Sequence, residues 1–185
     1  MPIIKTLGPE STDSYRAAVE WIDRNHILNP EITCYQSMEE IFDDLVPGDY
    51  VVMPVGYSNR NSKDFSSWVD FHYYYSDILT VADIFQLETM DMVIVENPHY
   101  TQNRAIVHSS TVQLVKRYNL DIDGIDFPSS KAKALTGFIK DGYRYAVCSK
   151  SDYLRRRGSA DKAGDLILDT FRISMIWVVY KVGKK

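Results

Sequence analysis

Hydroxyl side chains recur in this chain at one kind of place, the point where an apolar run gives way to a helical pattern. Ser11 and Thr12 follow the run 3–7 through a Gly8-Pro9 turn, and Ser58 follows the run 50–53 through Pro54 and Tyr57. Ser109 and Ser110 follow 105–107 and His108; Ser129 and Ser130 follow 122–127. A hydroxyl at such a junction caps free backbone N–H groups at the start of a helix. Those N–H groups, with the positive end of the helix dipole, also hold a carboxylate or a phosphate. Each of these residues therefore reads as a plain cap or as part of an anion cradle. Several uncharged donors at strand ends suit a small anionic ligand better than a metal or a nucleotide.

Other side chains near these junctions add chemistry. His108, at a strand end beside Ser109, serves as a hydrogen-bond donor, as a ligand for a carboxylate, or as the partner of a backbone carbonyl. Tyr57 donates a hydrogen bond or packs. Lys131 and Arg104 supply positive charge or simply solvate a face. Cys34 and Cys148 lie far apart in predicted strands, with no Cys-x-x-Cys or Cys/His spacing, and read as buried thiols of a reducing compartment. There is no Gly-rich phosphate loop, no Walker motif and no Gly-x-Ser-x-Gly elbow. The expectation is no metal and no organic cofactor.

The elements that must position these residues follow from periodicity. The run 3–7 is a predicted strand. Tyr15, Ala18, Val19 and Ile22 then mark one buried face of a helix over 12–26. Strand 32–36 precedes Ser37-Met38-Glu39-Glu40, a capping-box spacing that opens a second helix, and 50–53 is a third strand. Strands alternating with helices predict a parallel α/β sheet with right-handed crossovers. The stretch 55–76 is polar and then aromatic, with Trp68, Phe71, Tyr73, Tyr74 and Tyr75, and reads as core packing, a dimer interface or the dry wall of a site. Residues 79–87 and 92–95 read as strands around a turn at 88–91. Strand 105–107, a helix carrying Thr111, Leu114, Val115 and Tyr118, strand 122–127, a helix opened by Ser129-Ser130, strand 145–148 and a helix from Ser151 to Gly158 follow. Strands 166–171 and 175–180 close the chain.

Bulk properties narrow the class. The 185 residues carry a net charge of −4 with 45% hydrophobic and 25% charged residues, ordinary for a globular protein. No basic stripe tracks a nucleic-acid backbone, so no nucleic-acid partner is expected. Arg155-Arg156-Arg157 before Gly158 reads as the cationic last turn of a helix. No apolar run approaches the ~18 residues of a membrane span, and the N-terminus lacks a signal-peptide pattern. The expectations are no membrane partner and a cytoplasmic location.

The motifs together resemble those of prephenate dehydratases. Leu7-Gly8-Pro9-Glu10-Ser11-Thr12-Asp13-Ser14-Tyr15-Arg16-Ala17-Ala18 is similar to that family's Gly-Pro-x-Gly-Thr-Phe-Ser opening followed by Ala-Ala, with Ser11 in place of the glycine and Asp13 in place of the phenylalanine. Pro54-Val55-Gly56-Tyr57-Ser58 falls where the family has Pro-Ile-Glu-Asn-Ser. His108-Ser109-Ser110 and Phe127-Pro128-Ser129-Ser130-Lys131-Ala132 match its Ser-His and Ser-Thr-Ala segments in order. The resemblance implies a two-lobed α/β fold of the type II periplasmic-binding-protein kind, without a regulatory domain. Lobes are expected at 1–78 with 159–185 and at 79–158, with a small dicarboxylate bound in the cleft between them. A homodimer is the assembly it suggests.

The departures from that pattern matter as much. Dehydratases close their catalytic domain with Asn-x-Thr-Arg-Phe, whose threonine assists loss of the ring hydroxyl. Here Ile176, in Ser174-Met175-Ile176-Trp177, stands at that threonine's place. The tail, Tyr57 and the spacing from Leu79 to Pro98 are similar to the non-aromatising prephenate decarboxylases of the bacilysin pathway. That resemblance implies decarboxylation of prephenate for specialised-metabolite biosynthesis. His108 and Tyr57 would be catalytic, and Ser11, Thr12, Ser58, Ser109, Ser110, Ser129 and Ser130 would bind substrate. Two alternatives stay open: dehydration to phenylpyruvate with another proton donor, and a binding module or an enzyme for another cyclic acid.

Overall fold

The computed structural model describes residues 2–159 and 163–184. In chain order its elements are β1 (Ile3–Leu7), α1 (Asp13–Arg24), β2 (Glu31–Tyr35), α2 (Met38–Asp43), β3 (Tyr50–Pro54), α3 (Trp68–Tyr74), β4 (Leu79–Glu88) and β5 (Met92–Glu96). There follow β6 (Gln102–Ile106), a 3-10 turn (Ser109–Thr111), α4 (Val112–Lys116), β7 (Gly124–Asp126), α5 (Lys131–Asp141), β8 (Tyr143–Ser149), α6 (Lys150–Arg157), β9 (Leu166–Phe171) and β10 (Ser174–Val182). The chain forms two compact units. The first comprises Met1–Ser58, Ser62–Glu88 and Ser174–Lys185; the second comprises Asn59–Asn61 and Thr89–Ile173.

The first unit is built on a sheet of order β2-β1-β3-β10-β4. β1, β2 and β3 are parallel, whereas β10 is antiparallel to both β3 and β4, so the sheet is mixed rather than all parallel. The apolar run Trp177–Tyr180 explains this. It is buried on both faces, which only a central strand allows, and β10 accordingly sits between β3 and β4. On one face Ala17, Ala18 and Trp21 of α1 pack on Ile4, Val52, Phe85, Trp177 and Val179. On the other, Met38, Ile41 and Phe42 of α2 and Phe71 of α3 cover Val51, Met53, Val178 and Tyr180. Lys5, only 2% exposed, reaches this second face as an ion pair with Asp44 at 2.9 Å and Asp49 at 3.1 Å.

The second unit has sheet order β7-β6-β8-β5-β9, with β7, β6 and β8 parallel and β5 antiparallel to β8 and β9. Ala134, Leu135 and Phe138 of α5 and Tyr153 of α6 bury Val93, Val95, Ile106, Ala146 and Cys148. Val112 and Val115 of α4 cover Ile94, Ala105, Val107 and Val147 on the other face. Two glycines are required by geometry. A Cβ on Gly8 would meet the Cβ of Cys34 at 2.7 Å, so β1 and β2 can run together at their carboxyl ends only with glycine there. Gly142 takes the left-handed conformation, with φ of 72°, that ends α5.

The two units meet along the chain at Glu88/Thr89 and Ile173/Ser174. Several expectations are corrected. β4 pairs with β10 from Leu79 opposite Val182 to Glu88 opposite Ser174, while β9 pairs with β5. The strands read as neighbours around a turn at 88–91 thus belong to different sheets. Within 55–76 lies α3, a helix the aromatic run concealed; its capping box is Ser67 with Asp70. Cys148 is buried as expected, but Cys34 is exposed.

Candidate functional site

In the first unit the parallel strands bring Leu7, Tyr35 and Pro54 to one end of the sheet. Thr12 is the N-cap of α1. Its hydroxyl oxygen accepts from the Tyr15 N–H at 3.3 Å and its proton goes to the Leu7 carbonyl at 3.1 Å. A hydroxyl has one proton, so Thr12 cannot donate to a carboxylate while it holds Leu7. In this structure Thr12 serves as the cap of α1. Ser11 is exposed in the preceding turn. Tyr57 is partly buried, its N–H bonded to the Pro54 carbonyl at 3.0 Å and its ring edge-on to Phe71 with centroids 5.7 Å apart. Ser58 forms an isolated bridge with Ser67. Ser37, not among the expected site residues, caps α2 by accepting from Glu40 at 3.2 Å, beside the end of β2. Its capping-box spacing was the signal that could have placed it there.

Ile176 lies at the same end. Its carbonyl accepts from Val55, the residue after β3, at 3.0 Å, and its side chain is 44% exposed. An aliphatic group therefore faces solvent next to the carboxyl end of β3.

In the second unit β7, β6 and β8 end side by side; serine-bearing segments follow β7 and β6, and β8 ends on a serine. His108 caps the 3-10 turn. Its Nδ1 accepts from the Ser110 N–H at 3.4 Å and lies 2.8 Å from Ser110 Oγ. A backbone N–H only donates, so the ring proton is assigned to Nε2 and Ser110 Oγ donates to Nδ1. Burial, and then the positive charge of Lys131, depress the His108 pKa to about 4. At neutral pH His108 is thus an uncharged ring presenting one N–H. Ser109 is buried, and Thr111 donates to the His108 carbonyl at 2.8 Å.

After β7, Ser130 caps α5 by accepting from the Lys133 N–H at 3.1 Å, and exposed Ser129 accepts from Lys133 Nζ at 2.8 Å. Both serines keep a proton to donate. Ser149, the last residue of β8, caps α6. Arg104 is not available as a site cation. It forms a two-pronged pair with Asp126 at 2.8 and 2.6 Å, joined by the Tyr143 hydroxyl at 2.8 Å. The Arg104 guanidinium in turn holds the Asp126 carboxyl below the usual range. The cation that sequence reasoning passed over is Arg60, whose guanidinium lies 4.3 Å from the centroid of the Phe127 ring, one residue past β7. Its only sequence signal is a place two residues beyond Ser58.

The aromatic segment resolves into core and surface. Phe71 is fully buried, whereas Tyr73 and Tyr74 are largely exposed. Trp68 Nε1 donates to Tyr180 Oη at 2.9 Å, and Tyr180 Oη lies 2.8 Å from His72 Nδ1. Among the described residues no group of three or more His, Cys, Asp or Glu side chains is placed to hold a metal ion. No helix among them is long and apolar enough to cross a membrane.

No protein-family model and no curated protein matches the chain. Solved structures do. The prephenate dehydratase of Arthrobacter aurescens in complex with L-Phe superposes with a TM-score of 0.55 at 13% identity, over 99% of this chain and 61% of that one. The shared feature is the fold. The prephenate dehydratase of Staphylococcus aureus gives 0.52 at 16% identity, over 100% of this chain and 67% of that one. The periplasmic VFT2 domain of Bordetella pertussis BvgS gives 0.54 at 14% identity, over 98% and 81%. This chain therefore has the α/β fold, with two sheets, found in prephenate dehydratases and in periplasmic-binding-protein-like domains, and it spans 61% of the Arthrobacter protein's length.

Proposed function

We propose that this protein is a lyase that decarboxylates prephenate without aromatising the ring. The observation that carries the reading is Ile176. Loss of the ring hydroxyl needs a proton delivered to it as the carbon–oxygen bond breaks. At the end of the first sheet, where the resembling family places a threonine, this chain presents an aliphatic side chain.

The reaction then balances as follows. The bond from the ring to its carboxylate breaks and carbon dioxide leaves. The electron pair shifts through the diene, a proton arrives at a ring carbon, and the hydroxyl stays. Negative charge spreads as the bond breaks, so removing water from the departing carboxylate favours the step. In the first unit Ser11 offers a hydroxyl, and in the second unit Ser129, Ser130 and the Nε2–H of His108 have protons to give. In this reading such donors hold carboxylate groups, and the aliphatic Ile176 has no proton to give to a hydroxyl. A neutral His108 suits it, because a cationic imidazole would risk protonating that hydroxyl. Two unpaired cysteines, one exposed, support a cytoplasmic setting.

Dehydration to phenylpyruvate is the competing reading, favoured by the names of two fold neighbours. The test is to incubate the protein with prephenate and follow carbon dioxide and phenylpyruvate absorbance together. Carbon dioxide without phenylpyruvate is expected. Both in equal amounts would establish dehydration, and neither above the spontaneous rate would leave a binding protein.

A further inference from the structure

Arg60 belongs to a three-residue segment, Asn59–Asn61, that departs from the first unit's chain and packs with the second. Nothing in the fold requires a cation there. Among the described residues Arg60 forms no ion pair; its contact is the face of Phe127, 4.3 Å from the guanidinium carbon. A guanidinium stacked on an aromatic face keeps its in-plane N–H donors at the rim, aimed away from the ring. That leaves a planar fork with no acceptor, held in orientation by one apolar contact.

The surroundings are consistent in charge. Phe127 opens the loop that carries Ser129 and Ser130 into α5, and both hydroxyls retain a proton. Lys133 Nζ sits 2.8 Å from Ser129 Oγ, and the charge of Lys131 reaches His108. The nearest strand acid, Asp126, is neutralised by Arg104 and Tyr143. An exposed cation with no acid partner among the described residues, stacked on the ring that leads into the loop of Ser129 and Ser130, is a receptor for an anion rather than a structural brace.

We infer that Arg60, oriented by Phe127, is the residue of the second unit that grips a carboxylate of the ligand and so selects for anions with two carboxylates. This role rests on the site proposed above but not on its chemistry. A forked guanidinium matches a carboxylate with two parallel hydrogen bonds, which a lysine cannot do. Arg60 acts as a binding and specificity residue, not as an acid or base.

The test measures affinity by calorimetry for prephenate and for malonate, the simplest stable dicarboxylate, with acetate as the single-carboxylate control. Arg60→Gln should weaken both dicarboxylates by about tenfold or more, as expected for loss of a charge-assisted hydrogen bond. Arg60→Lys should recover only part of that, and Phe127→Leu should weaken binding by a smaller factor, because the guanidinium is then less well oriented. The thermal midpoint should be unchanged in Arg60→Gln, because Arg60 is exposed and touches one ring face. The inference is overturned if Arg60→Gln or Arg60→Lys binds as the wild type does, if acetate binds as well as malonate, or if the wild type binds neither dicarboxylate. Binding that depends on Arg60 in a protein that does not turn over prephenate would instead refute the decarboxylase reading alone.

Discussion

His108→Asn should remove a pH dependence of stability that the wild type carries. In the folded protein the His108 pKa falls from 6.5 to about 4, first because the ring is buried and second because Lys131 repels its charged form. The unfolded chain therefore binds more protons than the folded one between these values. Stability is at its full value above about pH 6.5 and is lost as pH falls through the window to about 4. One pKa unit corresponds to about 1.4 kcal/mol, so the full shift amounts to about 3 kcal/mol, and about 2 kcal/mol once the solvent reaching a partly buried ring is allowed for. Asparagine keeps an acceptor for the Ser110 N–H and is a good cap, so the fold should survive. The assay is urea unfolding of both proteins from about pH 7 to about pH 4.5. Carboxylates titrate in both, so their effect cancels in the difference. The wild type should lose about 2 kcal/mol more than the variant. Parallel loss in the two proteins, or a His108 ring signal titrating near its ordinary value by NMR, would refute the account of a buried neutral imidazole.

Thr12→Ala removes a cap and the bond to Leu7 and should cost about 1–2 kcal/mol in denaturant unfolding, with less than a threefold change in prephenate affinity. Ser11→Ala should do the opposite, and the reverse pattern would return Thr12 to the ligand. Arg157→Met strips the ion-pair partner from Asp165, a carboxylate whose side chain is 1% exposed and which Arg157 holds at 2.9 and 2.7 Å, and leaves it the Tyr153 hydroxyl at 2.9 Å. It should destabilise by roughly 3 kcal/mol as a buried charge left without its counter-ion, and a cost below about 1 kcal/mol would show that the Tyr153 hydroxyl suffices to hold it. Prephenate turnover should be unaffected by a chelator; activity lost and then restored by a divalent ion would contradict that.

Much of the architecture was legible because its signals are local. Ile3–Leu7, the capping-box start of α2 at Ser37, the serine pair before α5 and the triple arginine closing α6 each declare an element from a few adjacent residues. In that last turn Arg155 pairs with Asp152 and Arg157 with Asp165, while Arg156 bonds the Ala132 carbonyl. What stayed hidden depends on distant pairing. Nothing within 79–95 says that β4 and β5 part company, since the partners that separate them, β10 and β9, lie some eighty residues on. α3 was masked because a run of five aromatics within eight residues carries no clean helical stripe. The strand-end hydroxyls were found by type and position, but their chemistry depends on where each proton goes. Thr12 gives its own to Leu7, Ser110 to His108, and only the folded chain sets that choice. Arg60 was passed over because its significance is a contact with Phe127, sixty-seven positions away.

The fate of the ring hydroxyl tests the central claim most directly. Prephenate labelled with carbon-13 at the ring carboxylate should be incubated with the protein and the mixture followed by proton and carbon NMR. The account predicts that the label leaves as carbon dioxide while the product keeps its hydroxyl-bearing carbon and olefinic ring protons. Aromatic ring signals growing in step with carbon dioxide, at a rate set by enzyme concentration, would contradict it.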